Sequence, residues 1–381
     1  MAGRVFLVGA GPGDPKLITW RGLECLQEAD VIVYDRLVDE RLLGQAKAGA
    51  ELIYVGKASS AHTMSQDEIN ALLVAKGKEG KTVVRLKGGD PYMFGRGGEE
   101  AEELVDAGVE FEVVPGVTSA IAVPAYAGIP VTHRKATSTF TVITGHEAAK
   151  DESALDWGKL AGLGTLVFLM GVNNLPHISK RLLEHGQPAD TPVAVIERGT
   201  TAAQKTLLAT LGDVVEKARE AGVQPPAITI VGGVAKLREK LRWFDKRPLF
   251  GMRVLVTRSR DQASALANAL ANQGAQPIEL PSIEVKALED NTALDGAVRG
   301  LNTYQWVAFT SANGVRFFFE RVRALGLDAR ALAGVKVAAI GPATAAALRE
   351  RGIVPDVQPK EYVAEALAGE LGKHVKSGDR V

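Results

Sequence analysis

Four glycine-bearing clusters and a few titratable residues carry the chemistry of this 381-residue sequence. Gly9-Ala10-Gly11-Pro12-Gly13-Asp14 follows the apolar run 4–8. G-x-G after a first strand is how a dinucleotide loop opens. Asp14 stands where the third glycine would be, however, and would set negative charge against a pyrophosphate; Pro12 also lacks an N–H to aim at phosphate. The loop is therefore balanced between nucleotide binding of some kind and a tight structural turn. Lys87-Gly88-Gly89-Asp90-Pro91 ends a strand expected at 82–86, Phe94-Gly95-Arg96-Gly97-Gly98-Glu99 follows, and Pro115-Gly116-Val117-Thr118-Ser119 closes another strand. Ligands of open α/β sheets sit outside the carboxyl ends of the strands, so these loops can converge on one small molecule. Asp90 can bond hydroxyls or offset a cation there, and serves equally well as a turn residue. Asp35 and Lys57 each follow a strand end and have the groups for proton transfer, although a surface ion pair accounts for them too. His62 and His146 lack the spacing of a metal pair, and Cys25 is the single cysteine, so no metal is expected.

The elements that must hold these residues are short β-rich runs alternating with helical patterns, at 4–8, 31–34, 51–55, 82–86 and 111–114, with helices between. That alternation predicts a mostly parallel sheet with helices on its faces. Asp14-Pro15 reads as an N-cap with proline in the first turn, opening a helix over 14–28; Ser65-Gln66-Asp67-Glu68 fits a capping box. A second α/β series, 139–144, 165–169, 192–196 and 228–231, predicts a second domain. Asp245 to Gly251, charged and then broken by proline and glycine, reads as a linker. Beyond it the pattern restarts with strands at 252–257, 276–280, 306–310 and 335–340 and a helix near 344–351. Lys plus Arg and Asp plus Glu are 45 each, a balance that argues against a nucleic-acid partner. Nothing approaches the roughly 18 uninterrupted apolar residues of a membrane span, and the first residues lack a signal-peptide pattern. One cysteine fits a reducing, cytoplasmic compartment. Glycine, 41 of 381, exceeds the usual share of about 7%, which points to tight turns where backbone approaches a ligand.

Taken in order, VGAGPGDP at 8–15, VYDRL at 33–37, VGK at 55–57, RLKGGDPYMFGRGGEE at 85–100 and VPGVTSA at 114–120 resemble the tetrapyrrole methylases. ITGH at 143–146, LVFLMG at 166–171, ERGT at 197–200 and PPAITIVGGV at 225–234 extend the resemblance to about residue 245. It implies an α/β fold of two domains, 1–132 and 133–245, with S-adenosylmethionine in the cleft between them, and a homodimer. It puts the donor against Pro12, Gly88, Gly89, Asp90, Met93, Thr118, Ser119, Met170 and Gly199, with backbone near Ala227 a weaker candidate for the adenine. A sulfonium donor has no phosphates, so the first loop needs no third glycine, and Met93 and Met170 supply polarizable packing. The acceptor it implies is uroporphyrinogen III, methylated at C2 and C7 to precorrin-2. Asp35 then accepts a proton, Lys57 donates one, and Arg96, Glu99 and Arg134 face the substrate, with Arg96 counted among the catalytic residues. Another precorrin C-methyltransferase, a non-catalytic module binding donor or tetrapyrrole, and a nicotinamide dehydrogenase are the alternatives.

Beyond the linker at 246–251, residues 252–285, 306–315 and 337–348 resemble uroporphyrinogen-III synthase. The synthase's product is the methylase's substrate, which gives the fusion a chemical reason. Thr310, Ser311, Gly341 and Thr344 sit at strand–helix junctions, where they can meet acidic arms or act as caps. The resemblance implies a partial synthase-like α/β domain over 252–381, since the sequence stops where a further strand is expected, and hence no synthase activity from this segment alone.

Overall fold

A computed structural model describes residues 3–56, 64–146, 155–257 and 260–381. The chain forms two compact units, Met1–Val256 with Ala263–Leu280, and Thr257–Gln262 with Pro281–Val381.

In the first unit, strands β1 (Arg4–Gly9), β2 (Val31–Tyr34), β3 (Glu51–Tyr54), β4 (Thr82–Lys87) and β5 (Glu110–Val114) form a parallel sheet in the order β3-β2-β4-β1-β5. A parallel sheet covered by helices on both faces needs strands without a polar side. The central β1 obeys this: Phe6 and Val8 pack with Cys25, Leu26 and Ile32 on one face, and Val5 and Leu7 with Leu73 and Leu104 on the other. Ser65 and Glu68 make the expected capping box, with Ser65 N–H donating to Glu68 Oε2 at 2.6 Å and Glu68 N–H to Ser65 Oγ at 3.2 Å. The helix expected over 14–28 is split. Asp14 caps only a 3-10 turn at Pro15–Leu17; Ile18 is extended, and Thr19 supplies a second cap for the helix Trp20–Glu28. The break falls there because Thr19 is itself an N-cap, extended in backbone with its hydroxyl accepting the Gly22 N–H at 3.1 Å; the second carboxylate oxygen of Asp14 accepts the Tyr126 hydroxyl at 2.9 Å.

The second sheet, built from β6 (Phe140–Thr144), β7 (Thr165–Leu169), β8 (Pro192–Glu197), β9 (Lys205–Thr210) and β10 (Ala227–Val231), has the order β6-β7-β10-β8-β9. Only β6 and β7 pair in parallel; the other three pairings are antiparallel. Strand β9 went without a sequence signal because it is a half-exposed edge whose residues, KTLLAT, do not alternate. The segment that reads as a linker is folded onto this unit. Phe244 is buried against Tyr126, Arg247 lies over the rings of Trp243 and Phe244 at 4.9 Å each, and Arg238 bonds Ala127 O and Asp245. The strands β11 (Arg253–Val256) and β12 (Gln276–Glu279) pair in parallel around the helix Arg260–Asn272 and belong to the same unit.

The second unit holds a parallel pair, β13 (Trp306–Phe309) and β14 (Lys336–Ala339). Phe309, Phe318, Phe319, Val315 and Leu348 form its core, and Arg321 grips Asp295 through two bonds at 2.8 and 2.6 Å. Ser311 caps the helix Ala312–Ala324 by accepting the Gly314 N–H, and Thr344 is buried.

Glycine plays a sharper part in the first sheet than ligand approach alone. Gly11 and Gly89, both at positive φ, form an antiparallel bridge with bonds of 3.1 and 2.7 Å. Gly9 and Gly116 touch backbone to backbone: a Cβ at Gly116 would lie 2.6 Å from Gly9 Cα and run into the Gly89 carbonyl. Gly116→Ala is therefore expected to destabilise the protein by about 1–3 kcal/mol, as overpacking does. Gly98→Ala, where an added Cβ meets nothing within 4 Å in an exposed helical position, should stabilise by up to about 1 kcal/mol. Thermal or denaturant melting of the two variants checks the contrast, which disappears if Gly116 has room.

Candidate active site

The carboxyl ends of β1, β2 and β4 open onto a cavity of about 1680 Å³, larger than the roughly 300–1,000 Å³ of most small-molecule sites. Pro12, Gly88, Gly89, Met93, Ser119, Met170 and Gly199 line it together with Asp35, Arg96 and Ala227. Of the other positions singled out in the sequence, Asp90, Thr118, Glu99 and Arg134 are not part of that lining, and Lys57 lies outside the described residues.

The reasons differ residue by residue. Asp90 spends its carboxylate on backbone: Oδ1 accepts from Tyr92 N–H at 2.9 Å and Met93 N–H at 3.0 Å, and Oδ2 from Gly116 N–H at 3.0 Å. It thus staples the loop after β4 to the loop after β5. Thr118 caps the helix Ser119–Tyr126, its hydroxyl accepting Ala120 N–H. Glu99 holds the Arg96 guanidinium through Nε at 3.0 Å and through NH2, and that contact draws its carboxyl below the usual range. Arg96 itself sits at φ +59°, beside Phe94 at +54°. Non-glycine residues rarely adopt this conformation, which concentrates at functional sites. Arg134 is exposed in the turn that His133 and Thr137 close.

The second half contributes the same kind of strain. Met170 after β7 and Arg198 and Thr200 after β8 have φ of +54°, +48° and +68°. Asp14 joins the halves of the unit, its N–H donating to Thr200 Oγ1 at 3.1 Å while its carboxylate takes the Tyr126 hydroxyl. Burial, together with the Asp14 charge, pushes that hydroxyl's pKa well above its ordinary value.

Sequence reasoning missed a buried charge cluster beneath Asp35. Arg85 and Lys87, both 4% exposed, stand two residues apart on β4 and share the fully buried Glu100. Arg85 Nε reaches Glu100 Oε1 at 3.1 Å, Lys87 Nζ reaches it at 2.7 Å, and Gln66 Nε2 donates to it at 3.2 Å. Arg85 extends its other arm to Asp35 Oδ2 at 3.5 Å and donates to Val33 O and Leu86 O. Burial, then the Arg85 charge, lowers the Lys87 pKa; Glu100 opposes that fall. A signal existed: two cations at i and i+2 point to one face of a strand, and in an otherwise apolar central strand they demand a buried carboxylate. Removing only that carboxylate leaves Lys87 without its counter-ion and Arg85 with Asp35 alone, so Glu100→Ala is expected to destabilise by about 3–5 kcal/mol. Urea melting reads it out, and a loss under about 1 kcal/mol would show that the cluster is hydrated instead.

Comparison with known proteins accounts for both regions of the chain. The family of Tetrapyrrole (Corrin/Porphyrin) Methylases matches residues 4–215, and the family Uroporphyrinogen-III synthase HemD matches 264–381. A porphyrin biosynthesis protein HemD of Ruminiclostridium josui is 45% identical over 380 residues, 100% of this chain and 75% of that relative. An S-adenosyl-L-methionine-dependent uroporphyrinogen III methyltransferase of Methanosarcina barkeri is 58% identical over 241 residues, covering 63% of this chain and 94% of its own length. The crystal structure of a uroporphyrin-III C-methyl transferase from Thermus thermophilus, complexed with S-adenyl homocysteine, shares 43% identity and superposes with a TM-score of 0.53 over 62% of this chain and 100% of that one. With more than half of its length matched, from β1 through β9, the chain belongs to the tetrapyrrole methylases.

Proposed function

We propose that this chain transfers methyl groups from S-adenosylmethionine to C2 and C7 of uroporphyrinogen III, giving precorrin-2. The observation that carries the reading is that one cavity gathers the glycine-loop positions and Met93 and Met170 together with Asp35 and Arg96. The relatives' names support donor and acceptor alike. So does the synthase-type region, because that family's product is the acceptor.

The residues present fit the donor. Gly89 stands at φ +73°, and a Cβ there would meet only Ser119 N and Thr118 Cα, at 3.9 and 4.0 Å. Its bare backbone therefore opens toward the start of the helix Ser119–Tyr126. Met93 and Met170 are half exposed on the cavity, where soft sulfur and methylene groups suit a sulfonium and an adenine face. Pro12, Gly88, Gly89, Ser119, Met170, Gly199 and Ala227 would hold the donor, with Asp90 and Thr118 shaping the loops beneath it. When bound, the donor supplies an electrophilic methyl group.

The remaining chemistry belongs to this chain. Arg36, Arg41, Arg96, Arg198 and Arg247 line the cavity and suit the carboxylate arms of the acceptor, since guanidinium groups bind carboxylates in pairs of bonds. Glu99 orients Arg96 for that task, and Arg134 adds a cation beyond the lining. Methylation leaves a positive charge on the macrocycle, and Asp35 receives the proton that the macrocycle then loses from a position other than the methylated carbon. Its Oδ1 accepts Leu37 N–H at 3.0 Å and its Oδ2 faces Arg85, leaving lone pairs on each oxygen for the transfer. Lys57 is the matching donor in this reading. A homodimer and a cytoplasmic setting belong to the same proposal, the single buried cysteine fitting a reducing compartment.

Mass spectrometry of uroporphyrinogen III incubated with the protein and donor should show two added methyl groups. A product methylated at other positions points to another precorrin methyltransferase, and an unchanged acceptor to a binding module. Asp35→Asn should lower turnover by about 10²–10⁴-fold, the contribution of a placed proton-transfer group, with little change in S-adenosylhomocysteine affinity. Asp90→Ala should weaken that affinity by about 1–3 kcal/mol, because three backbone donors lose their acceptor; unaltered calorimetric binding would remove Asp90 from any part in the donor site.

A further inference from the structure

The buried cluster is more than a stabilising ion network, because one of its members reaches the cavity's carboxylate. Arg85 lies on β4 between two anions, with Nε on Glu100 and NH2 on Asp35. Its NH1 group is anchored on the carbonyls of Val33 and Leu86. A planar guanidinium fixed by three partners can present its last edge in only one direction. Asp35 follows β2, the neighbour of β4, and Leu37 N–H holds its other oxygen. The carboxylate is thus gripped from both sides. Glu100 in turn comes from the helix Gly97–Asp106, which starts next to Arg96, and the Glu100 N–H donates to Arg96 O at 3.2 Å. Lys87, on the same carboxylate oxygen of Glu100, balances the charge. Arg85 and Asp35 together then face Glu100 and Lys87 as a neutral set of four.

We infer that Arg85 is a positioning residue for Asp35: anchored by Glu100, its guanidinium NH2 group holds the Asp35 carboxylate toward the methyl acceptor. The inference rests on the reading of Asp35 as the proton acceptor. It adds that the Gly97–Asp106 helix, which carries Arg96 at its start, sets the geometry of proton removal through Glu100 and Arg85. Lys87 has no step of its own in this arrangement.

Arg85→Met is the variant of choice, because the Lys87–Glu100 pair stays neutral without the arginine and Asp35 keeps access to solvent. Turnover should fall about 10- to 100-fold, the scale of a small misplacement of a reacting group. KM for uroporphyrinogen III and calorimetric affinity for S-adenosylhomocysteine should stay within about threefold, since Arg85 is only 4% exposed where it lines the cavity and its bonds are spent within the protein. The deciding measurement is a double-mutant cycle: Arg85→Met added to Asp35→Asn should change turnover by less than about threefold, because an arginine acting through Asp35 has nothing left to aim. Arg85→Lys keeps the charge but cannot reach Glu100 and Asp35 at once, so it should recover stability without recovering turnover. Additive losses in the cycle, or full turnover in Arg85→Lys, overturn the positioning role while leaving Asp35 as the acceptor. Full turnover in Asp35→Asn alone instead removes Asp35 from the chemistry and the positioning role with it. Should Arg85→Met fail to fold, Arg85→Lys, which keeps the charge of the cluster, is read in the same cycle and must be non-additive with Asp35→Asn.

Discussion

Backbone contact between strand-end loops is the constraint on which the rest of the site depends. Three strands of the first sheet end in loops that meet without intervening side chains: Gly9 on Gly116, and Gly11 on Gly89 through paired hydrogen bonds. Asp90 then ties the second of these loops to the third through Gly116. Glycine is required where it stands because a single Cβ would push the loops apart, and because φ at Gly11 and Gly89 is positive. The closeness has two effects. It brings the loops' free edges to one side, where a donor can lie, and it fixes the end of β4, the strand that carries Arg85 and Lys87 beside Asp35.

Burial of charge beneath the cavity follows from the same architecture. A central parallel strand has helices on both faces, so any polar residue on it goes inside. Arg85 and Lys87 accept that position only because Glu100 meets them, and a buried pair of this kind adds little net stability over an apolar core. Its value lies in direction. Ionic groups held by several bonds cannot rotate, and one of them ends at the carboxylate that faces the cavity. Strained residues lining the cavity, Arg96, Met170, Arg198 and Thr200, carry the matching expense on the backbone.

The two family regions also divide differently in space than along the chain. The synthase match begins at residue 264, yet Ala263–Leu280 packs within the unit that holds the methylase sheets. Lys16 Nζ donates to Asn272 Oδ1 at 2.8 Å, and Leu249 N–H to Gln273 O at 2.9 Å. These bonds, with the stacking of Arg247 on Trp243 and Phe244, explain why a stretch rich in charge, proline and glycine is a packed corner rather than a tether. Composition reports local chain preference; it is blind to a partner surface supplied from over a hundred residues away.

What the sequence determined by itself is considerable. Short apolar runs between helical patterns located the strands of both sheets apart from β9, the capping box at Ser65 located its helix, and ordered motifs carried the family, because each of these depends on residues near one another in the chain. Strand direction in the second sheet, the splitting of the first helix at Ile18, the diversion of Asp90 and Thr118 into holding loops, and the meeting of Arg85, Lys87 and Glu100 were decided only by the tertiary structure. Several of these turn on a hydrogen-bond or charge partner that lies elsewhere in the chain: Gly116 for Asp90, and Glu100 for two cations of a strand. A residue's type says what bonds it can make, and only the fold says which partner reaches it first.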